Sequence, residues 1–316
     1  MMTIGNAENR QSAFGNAWVE CVPNFSEGRD IDLVERLAGA IAGAETACVL
    51  DTHMDSDHNR SVITFVAAPE MIVEAAVRVV ALAADLIDMR QHKGQHPRLG
   101  ATDVLPFVPV HGVTLDDCVM LAHQAGERIA RELRIPVFFY ERAALKPDRV
   151  NLEDVRRGAL ELLREQIAHE PTRAPDVGPL CVHETAGAIA VGARPFLIAF
   201  NVNLHTSDLA IARQIARAVR ARHGGLPFLK ALGFELSTRG LVQVSMNLVN
   251  YGATGMPQAY DAVRREAGKL GVEIVSTEIV GLVPENALDK DAEYFQKLEN
   301  FTTDKILESR MRACEQ

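Results

Sequence analysis

The sequence lacks most of the short signatures that would settle its chemistry at once. Its five cysteines, Cys21, Cys48, Cys118, Cys181 and Cys314, are scattered and form no CxxC pair. A disulfide framework or a structural zinc site is therefore not expected, and a reducing cytoplasm is. There is no HExxH, which removes the zincin reading. There is no GxGxxG and no P-loop, so no nucleotide is indicated. The longest apolar stretch, MIVEAAVRVVALAADLIDM, is interrupted by Glu74, Arg78, Asp85 and Asp88. It predicts a buried or amphipathic helix rather than a membrane span. Positive charge is also in short supply, with 33 Lys and Arg against 42 Asp and Glu, a net charge of −9. Such a surface suits neither nucleic acid nor an anionic membrane, although a local basic pocket for an acidic small molecule stays open. Residues 1–16 are polar, without an apolar core or cleavage signature, and are expected to be a flexible extension rather than a signal peptide.

What is present is an ordinary globular composition, 47% apolar and 24% charged over 316 residues, enough for two domains. Periodicity predicts a strand over 17–24, a helix over 30–43, strands over 47–51 and 61–67, a helix over 69–89 and a strand over 103–110. The prolines of that last strand suggest an edge or bulges. A helix over 114–134, with Thr114 and Asp117 at its start, a strand over 135–141 and a helix over 152–168 follow. Asp117 departs from the Glu or Gln that a capping box prefers. The first order then recurs: strand 194–203, helix 207–223, strands 227–236 and 240–250, helix 256–271, strand 272–283. Both halves read β-α-β-β-α-β, the split βαβ order. The expected class is α/β (α+β), with two ferredoxin-like subdomains at 17–190 and 191–316.

In the strand GLVQVSMNLVN, Gln243, Ser245 and Asn247 share one face, and Asn201 and Asn203 share one in theirs. A ferredoxin-like sheet has helices on one side only. The polar ladder on the other is either a solvated face or the lining of a wet ligand path.

Four segments carry candidate chemistry. HKGQHPRLG (92–100) holds His92 and His96 at the spacing of a helical zinc pair. Pro97 disfavours helix at His96, and Gly94 weakens it further. The segment fits better a loop that presents His96 and Arg98 to a cleft, where a group titrating near neutrality suits proton transfer. DTHMDSDHNR (51–60) joins two strands and concentrates His53, Asp55, Asp57, His58 and Arg60. These residues would hold a divalent metal, orient a catalytic histidine, or make only a polar turn. VPNFSEGRD (22–30) turns from strand to helix through Asn24, Ser26 and Gly28, with Asp30 as the expected N-cap. GPLCVHETAGAIAVGARPFLIAFN (178–201) is rich in small residues and suits a close approach of ligand to backbone.

Together these segments resemble the formiminotransferase family, the transferase portion of formiminotransferase-cyclodeaminases and its stand-alone bacterial relatives. The resemblance rests on VECVPNFSEG, NRSVITFV, LIDMRQHKGQHPRLGATDVLPFVPV, GARPFLIAFNVNL, LVQVSMNL and EIVGLVP, which run from about Trp18 to about Pro284. It implies two α/β subdomains whose sheets flank a substrate tunnel, and a homodimer. It implies transfer of a formimino group from N-formimino-L-glutamate to tetrahydrofolate as co-substrate, in histidine degradation, with no metal. The family's catalytic histidine falls on His96. The folate-contacting stretch falls on GPLCVHETAG, with Gly178, Pro179, His183, Thr185 and Gly187 as candidates; in bifunctional members it is rich in Ser, Pro and Trp. His53 stands where those members carry an acidic residue.

The chemistry agrees with these assignments. The acceptor amine loses a proton as it attacks, and the leaving glutamate nitrogen gains one. One histidine with an ordinary pKa of about 6.5 does both in turn. The tetrahedral intermediate is cationic when protonated, which makes Asp55 and Asp57 candidate stabilisers. Glutamate carboxylates call for arginine, and Arg60, Arg98 and Arg194 are the candidates. Asn24, Asn201, Asn203, Gln243 and Asn247 are candidate neutral partners of the substrate. Two other readings stay open. One is a hydrolase of formiminoglutamate or a related amidine, with a metal held by His53, Asp55, His58 and His92. The other is a non-catalytic ligand-binding module.

Overall fold

The structure is a computed structural model that describes residues 17–44, 46–56, 58–93, 97–236 and 239–314. The expected N-terminal extension, Asp57 and His96 lie outside the described residues. The chain divides into two compact units, one ending at Arg194 and one beginning at Pro195.

The first unit runs β1 (Trp18–Cys21), β2 (Asn24–Phe25), α1 (Ile31–Ala42), β3 (Cys48–Asp55), β4 (Arg60–Ala67), α2 (Pro69–Leu86), β5 (Thr102–His111), α3 (Leu115–Arg128), β6 (Val137–Glu141), α4 (Leu152–Val155), α5 (Ala159–Gln166) and β7 (Ile189–Ala193). Antiparallel β3 lies on β4, β4 pairs with both β1 and β2, and both of these pair with β5. That is the split βαβ arrangement expected. The sheet then continues, because β7 adds to β5 and β6 to β7, both parallel. A parallel neighbour needs a long crossover, and α3 and the segment with α4 and α5 supply it.

β5 is therefore central, and of the edge or bulges its prolines suggested it shows the second: its register shifts against both β1 and β2. Pro106 O accepts from Val22 N at 3.2 Å, so the side of Pro106 that has no N–H faces the break between β1 and β2. No ladder donor is required there. The helix start at Thr114 is capped by the two residues expected there. Asp117 completes a capping box despite its short side chain: its Oδ2 accepts from Thr114 N at 2.8 Å, and its own N–H donates to Thr114 Oγ1 at 3.1 Å. The helix expected over 152–168 is broken at Gly158, which adopts φ +77, leaving α4 and α5 as separate pieces.

Strand alternation sorts the side chains. Val19, Cys21, Ile63, Phe65, Leu105, Phe107, Ile189 and Val191 meet α1, α2 and α3 in the main core. On the opposite face, Val104, Phe138, Tyr140 and Ala190 pack with Val155 of α4 and Leu163 of α5. Trp18, Glu20, Asn24 and Arg60 fall outside both clusters.

The second unit runs β8 (Ile198–Leu204), α6 (Leu209–Val219), β9 (Leu229–Leu236), β10 (Leu241–Leu248), α7 (Met256–Lys269), β11 (Ile274–Val280), α8 (Glu293–Gln296) and α9 (Leu307–Cys314). Its antiparallel sheet has the order β11-β8-β10-β9. Phe200, Val202, Val242, Val244 and Met246 join the helices in one core. Asn201, Asn203, Gln243 and Ser276 are also buried.

Among the described residues no helix is long and apolar enough to cross a membrane. Cys21, Cys118 and Cys181 are free thiols.

Candidate active site

Three loops meet at the start of β4. The first is the β2–α1 turn, where Gly28 lies so close to the β3–β4 connection that an added Cβ would stand 2.3 Å from Asp55 O and 2.4 Å from Arg60 N. Only glycine allows that approach. The second is the connection itself. Asn59 takes a left-handed conformation, φ 49, which asparagine tolerates better than most residues. Its Oδ1 accepts from Gly28 N at 3.0 Å and its Nδ2 donates to Lys93 O at 3.2 Å. The third is the loop after Met89. His92 Nε2–H donates to Asn59 O at 3.1 Å, so one asparagine joins all three.

His92 and His96 do not share a helix: His92, Lys93, Pro97 and Arg98 are all irregular. Arg98 Nε donates to His92 Nδ1 at 3.1 Å, which fixes the proton of the neutral ring on Nε2. Burial first, and the Arg98 charge beside it, hold His92 below the usual histidine range. The rest of the Arg98 fork reaches Glu161, Nη1 to Oε2 at 3.2 Å and Nη2 to Oε1 at 2.8 Å.

Arg60 lies at the start of β4 and donates to Asn24 Oδ1. Burial, then the neighbouring Arg156 charge, push its pKa down to about 10, against the pull of Asp103 and Asp55. Asp103 pairs with Arg156 and also accepts from Leu99 N at 2.8 Å. Asp55 Oδ2 accepts from His58 Nδ1 at 2.7 Å and its Oδ1 from His58 N at 2.9 Å. His53 is exposed on β3. Among the described residues no three His, Cys, Asp or Glu side chains are grouped to hold a metal ion, and His53, Asp55, His58 and His92 make no such cluster.

The sequence reading missed Glu20. It sits on β1, opposite in face to Val19 and Cys21, and is fully buried. Burial raises its carboxyl to about 7, and the nearby Arg194 charge resists that rise. The available signal was a glutamate in the middle of the apolar strand AWVECVPN. Asp103, Arg156 and Glu161 were also missed.

The 178–187 stretch is stitched to the strand side of the HPR loop. Met89 N donates to Thr185 O at 2.8 Å, Ala101 N to Ala186 O at 2.9 Å, and Ala188 N to Leu99 O at 2.9 Å. An added Cβ on Gly100 would stand 2.3 Å from Ala186 O. His183 and Gly187 exchange backbone bonds of 2.8 and 3.0 Å, and His183 Nδ1 accepts from Ala186 N at 3.1 Å. Gly178 and Gly187 have positive φ; Pro179 is half-buried.

Residues 18–194 match the formiminotransferase domain, N-terminal subdomain, and residues 199–312 match the formiminotransferase domain. The chain belongs to the formiminotransferase family. It is 50% identical to a glutamate formimidoyltransferase of Thermoplasma acidophilum, over 93% of this chain and 97% of that one. It is 44% identical to a glutamate formimidoyltransferase of Streptococcus pyogenes serotype M1, over 93% and 98%. Against the rat formimidoyltransferase-cyclodeaminase it is 41% identical over 93% of this chain and 55% of that protein.

In the second unit the polar ladder forms rows across the strands. Asn201 faces Ser245 and Glu278, and Asn203 faces Gln243 and Ser276. Asn201 Nδ2 donates to Glu278 Oε2 at 3.1 Å, Gln243 Nε2 to Asn203 Oδ1 at 2.9 Å and Asn203 Nδ2 to Ser276 Oγ at 3.0 Å. Asn247, opposite Ala199 and Lys230, is exposed. The first unit thus assembles Asn24, Asp55, Arg60 and, through Asn59, the loop of Arg98; the second assembles Asn201, Asn203 and Gln243.

Proposed function

We propose that this formiminotransferase moves the formimino group from N-formimino-L-glutamate to tetrahydrofolate, releasing L-glutamate and 5-formiminotetrahydrofolate. The observation that carries this reading is the similarity to two glutamate formimidoyltransferases over more than nine-tenths of each chain. The buried charges around Arg60 support it chemically, because a dianionic amino-acid donor needs fixed cationic partners.

In this proposal His96 is the general acid and base. It takes the proton from N5 of the folate as that nitrogen attacks the formimino carbon. It returns a proton to the glutamate nitrogen as the bond to that carbon breaks. Asp55, held by His58, and Asp57 are the stabilisers of the cationic intermediate in this scheme. Arg60 and Arg194 hold the donor's carboxylates, with Asn24 orienting Arg60. The 178–187 loop, with His183 and Thr185, and the amide row of Asn201, Asn203, Gln243 and Asn247 offer hydrogen bonds to the substrates. In this proposal Arg98, whose fork engages His92 and Glu161, does not itself bind substrate. The reaction proceeds without a metal, in the cytoplasm, on a homodimer of two-subdomain protomers.

Chelated protein incubated with formiminoglutamate tests this. Glutamate release that requires tetrahydrofolate and survives chelation is expected. Folate-independent release that chelation stops would replace this reading with the metal-dependent hydrolase. Binding without turnover would replace it with the ligand-binding module.

A further inference from the structure

The two polar rows of the second unit differ in one respect. The row of Gln243, Asn203 and Ser276 closes on itself. Gln243 Nε2 donates to Asn203 Oδ1 at 2.9 Å and Asn203 Nδ2 to Ser276 Oγ at 3.0 Å. Ser276 in turn bonds the Glu299 carboxylate, which Arg239 grips through two bonds of 3.0 and 2.9 Å. The row of Ser245, Asn201 and Glu278 stays open. Asn201 Nδ2 donates to Glu278 Oε2 at 3.1 Å, but Asn201 Oδ1 is buried without a partner, in a residue only 6% exposed. Gln243 Nε2 also reaches Glu278 Oε2, at 3.4 Å, while Glu278 Oε1 has no partner among the described residues. A buried acceptor left unbonded is costly and calls for a donor. The same face carries apolar surface. Across β9, Leu232 pairs with Ser245 and Phe234 with Gln243. Leu229 and Ala231 pack into the core under the helices, so by alternation Leu232 and Phe234 lie on the face of the polar rows. They are 56% and 40% exposed.

We propose that Asn201 and Glu278 bind the pyrimidine edge of the pterin ring of tetrahydrofolate, Asn201 Oδ1 and Glu278 Oε1 accepting from its two adjacent donors, the 2-amino group and N3–H. This rests on tetrahydrofolate being the acceptor, as proposed above. The donor substrate fits the site worse. N-formimino-L-glutamate has N–H groups in its amidine, but it also carries two carboxylates, which Glu278 repels, and no flat apolar face for Leu232 and Phe234 to cover. The pterin has a donor edge for the two acceptors and a planar ring for the apolar pair. The closed row gives the site its rigidity, because Gln243 joins it to Glu278 and so fixes the carboxylate from below.

The test is steady-state kinetics of the full chain with tetrahydrofolate and with its analogue carrying a methyl in place of the 2-amino group. Glu278→Gln keeps the shape and still accepts from Asn201 and Gln243, but turns a donor toward the pterin. It is expected to raise KM for tetrahydrofolate about tenfold or more, with KM for formiminoglutamate changed less than about threefold and the thermal midpoint within about two degrees of wild type. Asn201→Leu should act in the same direction; should it fail to fold, Glu278→Gln, at a half-buried position, decides alone. Wild type should disfavour the 2-methyl analogue about tenfold or more in kcat/KM, and Glu278→Gln should lose most of that discrimination, which a merely structural role would not change. An unchanged KM for tetrahydrofolate in Glu278→Gln would overturn the proposal and leave a solvated face. A rise in KM for formiminoglutamate alone would overturn it and put the amidine there. Equal discrimination in wild type and Glu278→Gln would overturn it as well. Failure of the reading beneath it looks different: wild type would then release no glutamate in response to tetrahydrofolate.

Discussion

Asp103 and Arg156 form an ion pair whose side chains are 4% and 14% exposed, and the same carboxylate lies close enough to Arg60 to oppose the lowering of its pKa. One buried anion thus serves two guanidiniums, and it also receives the N–H of Leu99, next to Arg98. Removing one partner of a buried pair leaves an uncompensated charge, which costs more than the pair itself contributes.

Asp103→Asn is accordingly expected to destabilise the chain by about 3–5 kcal/mol in chemical denaturation. Adding Arg156→Met should recover part of the loss, because it removes the stranded charge. A loss below about 1 kcal/mol would mean that water compensates Arg156 and Arg60.

Gly28→Ala places a methyl group on Asp55 O and Arg60 N, two backbone atoms with no flexible end to swing aside. Overpacking of this kind costs roughly 1–3 kcal/mol. It also shifts the strand end that carries Arg60. Thermal unfolding should show the loss, and the variant's KM for formiminoglutamate should rise.

Glu20 gives stability a pH dependence of defined sign. Its unfolded carboxyl titrates near 4.5 and its folded one near 7. Between those values the folded chain keeps a proton that the unfolded chain has released. Stability from this group is therefore lost as pH rises through that window and is level above it. Glu20→Gln should remove the slope. Measured against wild type, the variant gains on the order of 3 kcal/mol between pH 4 and pH 8. Parallel stability–pH curves for the two proteins would contradict the account of Glu20 as a buried carboxyl raised by desolvation.

Much of the fold was legible because periodicity is a local property. The strand–helix order of both halves, the Asp30 cap on α1 and the irregular backbone at His92 all follow from residues within a turn of one another. The prolines of β5 left an edge or bulges open; the bulges are there, and its central place was hidden because its neighbour β7 comes from much later in the chain. The break at Gly158 was hidden by the apolar rhythm of LEDVRRGALELL, which continues across it.

The site divides the same way. Asn24, Asp55, Arg60 and Arg98 stood out as candidates because they lie in dense polar stretches of the sequence between apolar runs. Their partners were not. Glu161 lies 63 positions from Arg98, and Arg156 lies 53 from Asp103. Asn59 was visible only as one more polar turn residue, and its left-handed backbone is what makes it the junction of three loops.

The central claim is that the formimino carbon passes to folate with His96 moving the protons. The most direct measurement follows that carbon. Donor labelled with carbon-13 in the formimino group is mixed with chelated enzyme and tetrahydrofolate and observed by NMR, for wild type and His96→Ala. The account predicts that wild type transfers the label to N5 of the folate, one equivalent for each glutamate released, and that His96→Ala leaves it on the donor. Label released as formamide or N-formylglutamate at the same rate without folate, or transferred by His96→Ala at the wild-type rate, would contradict it.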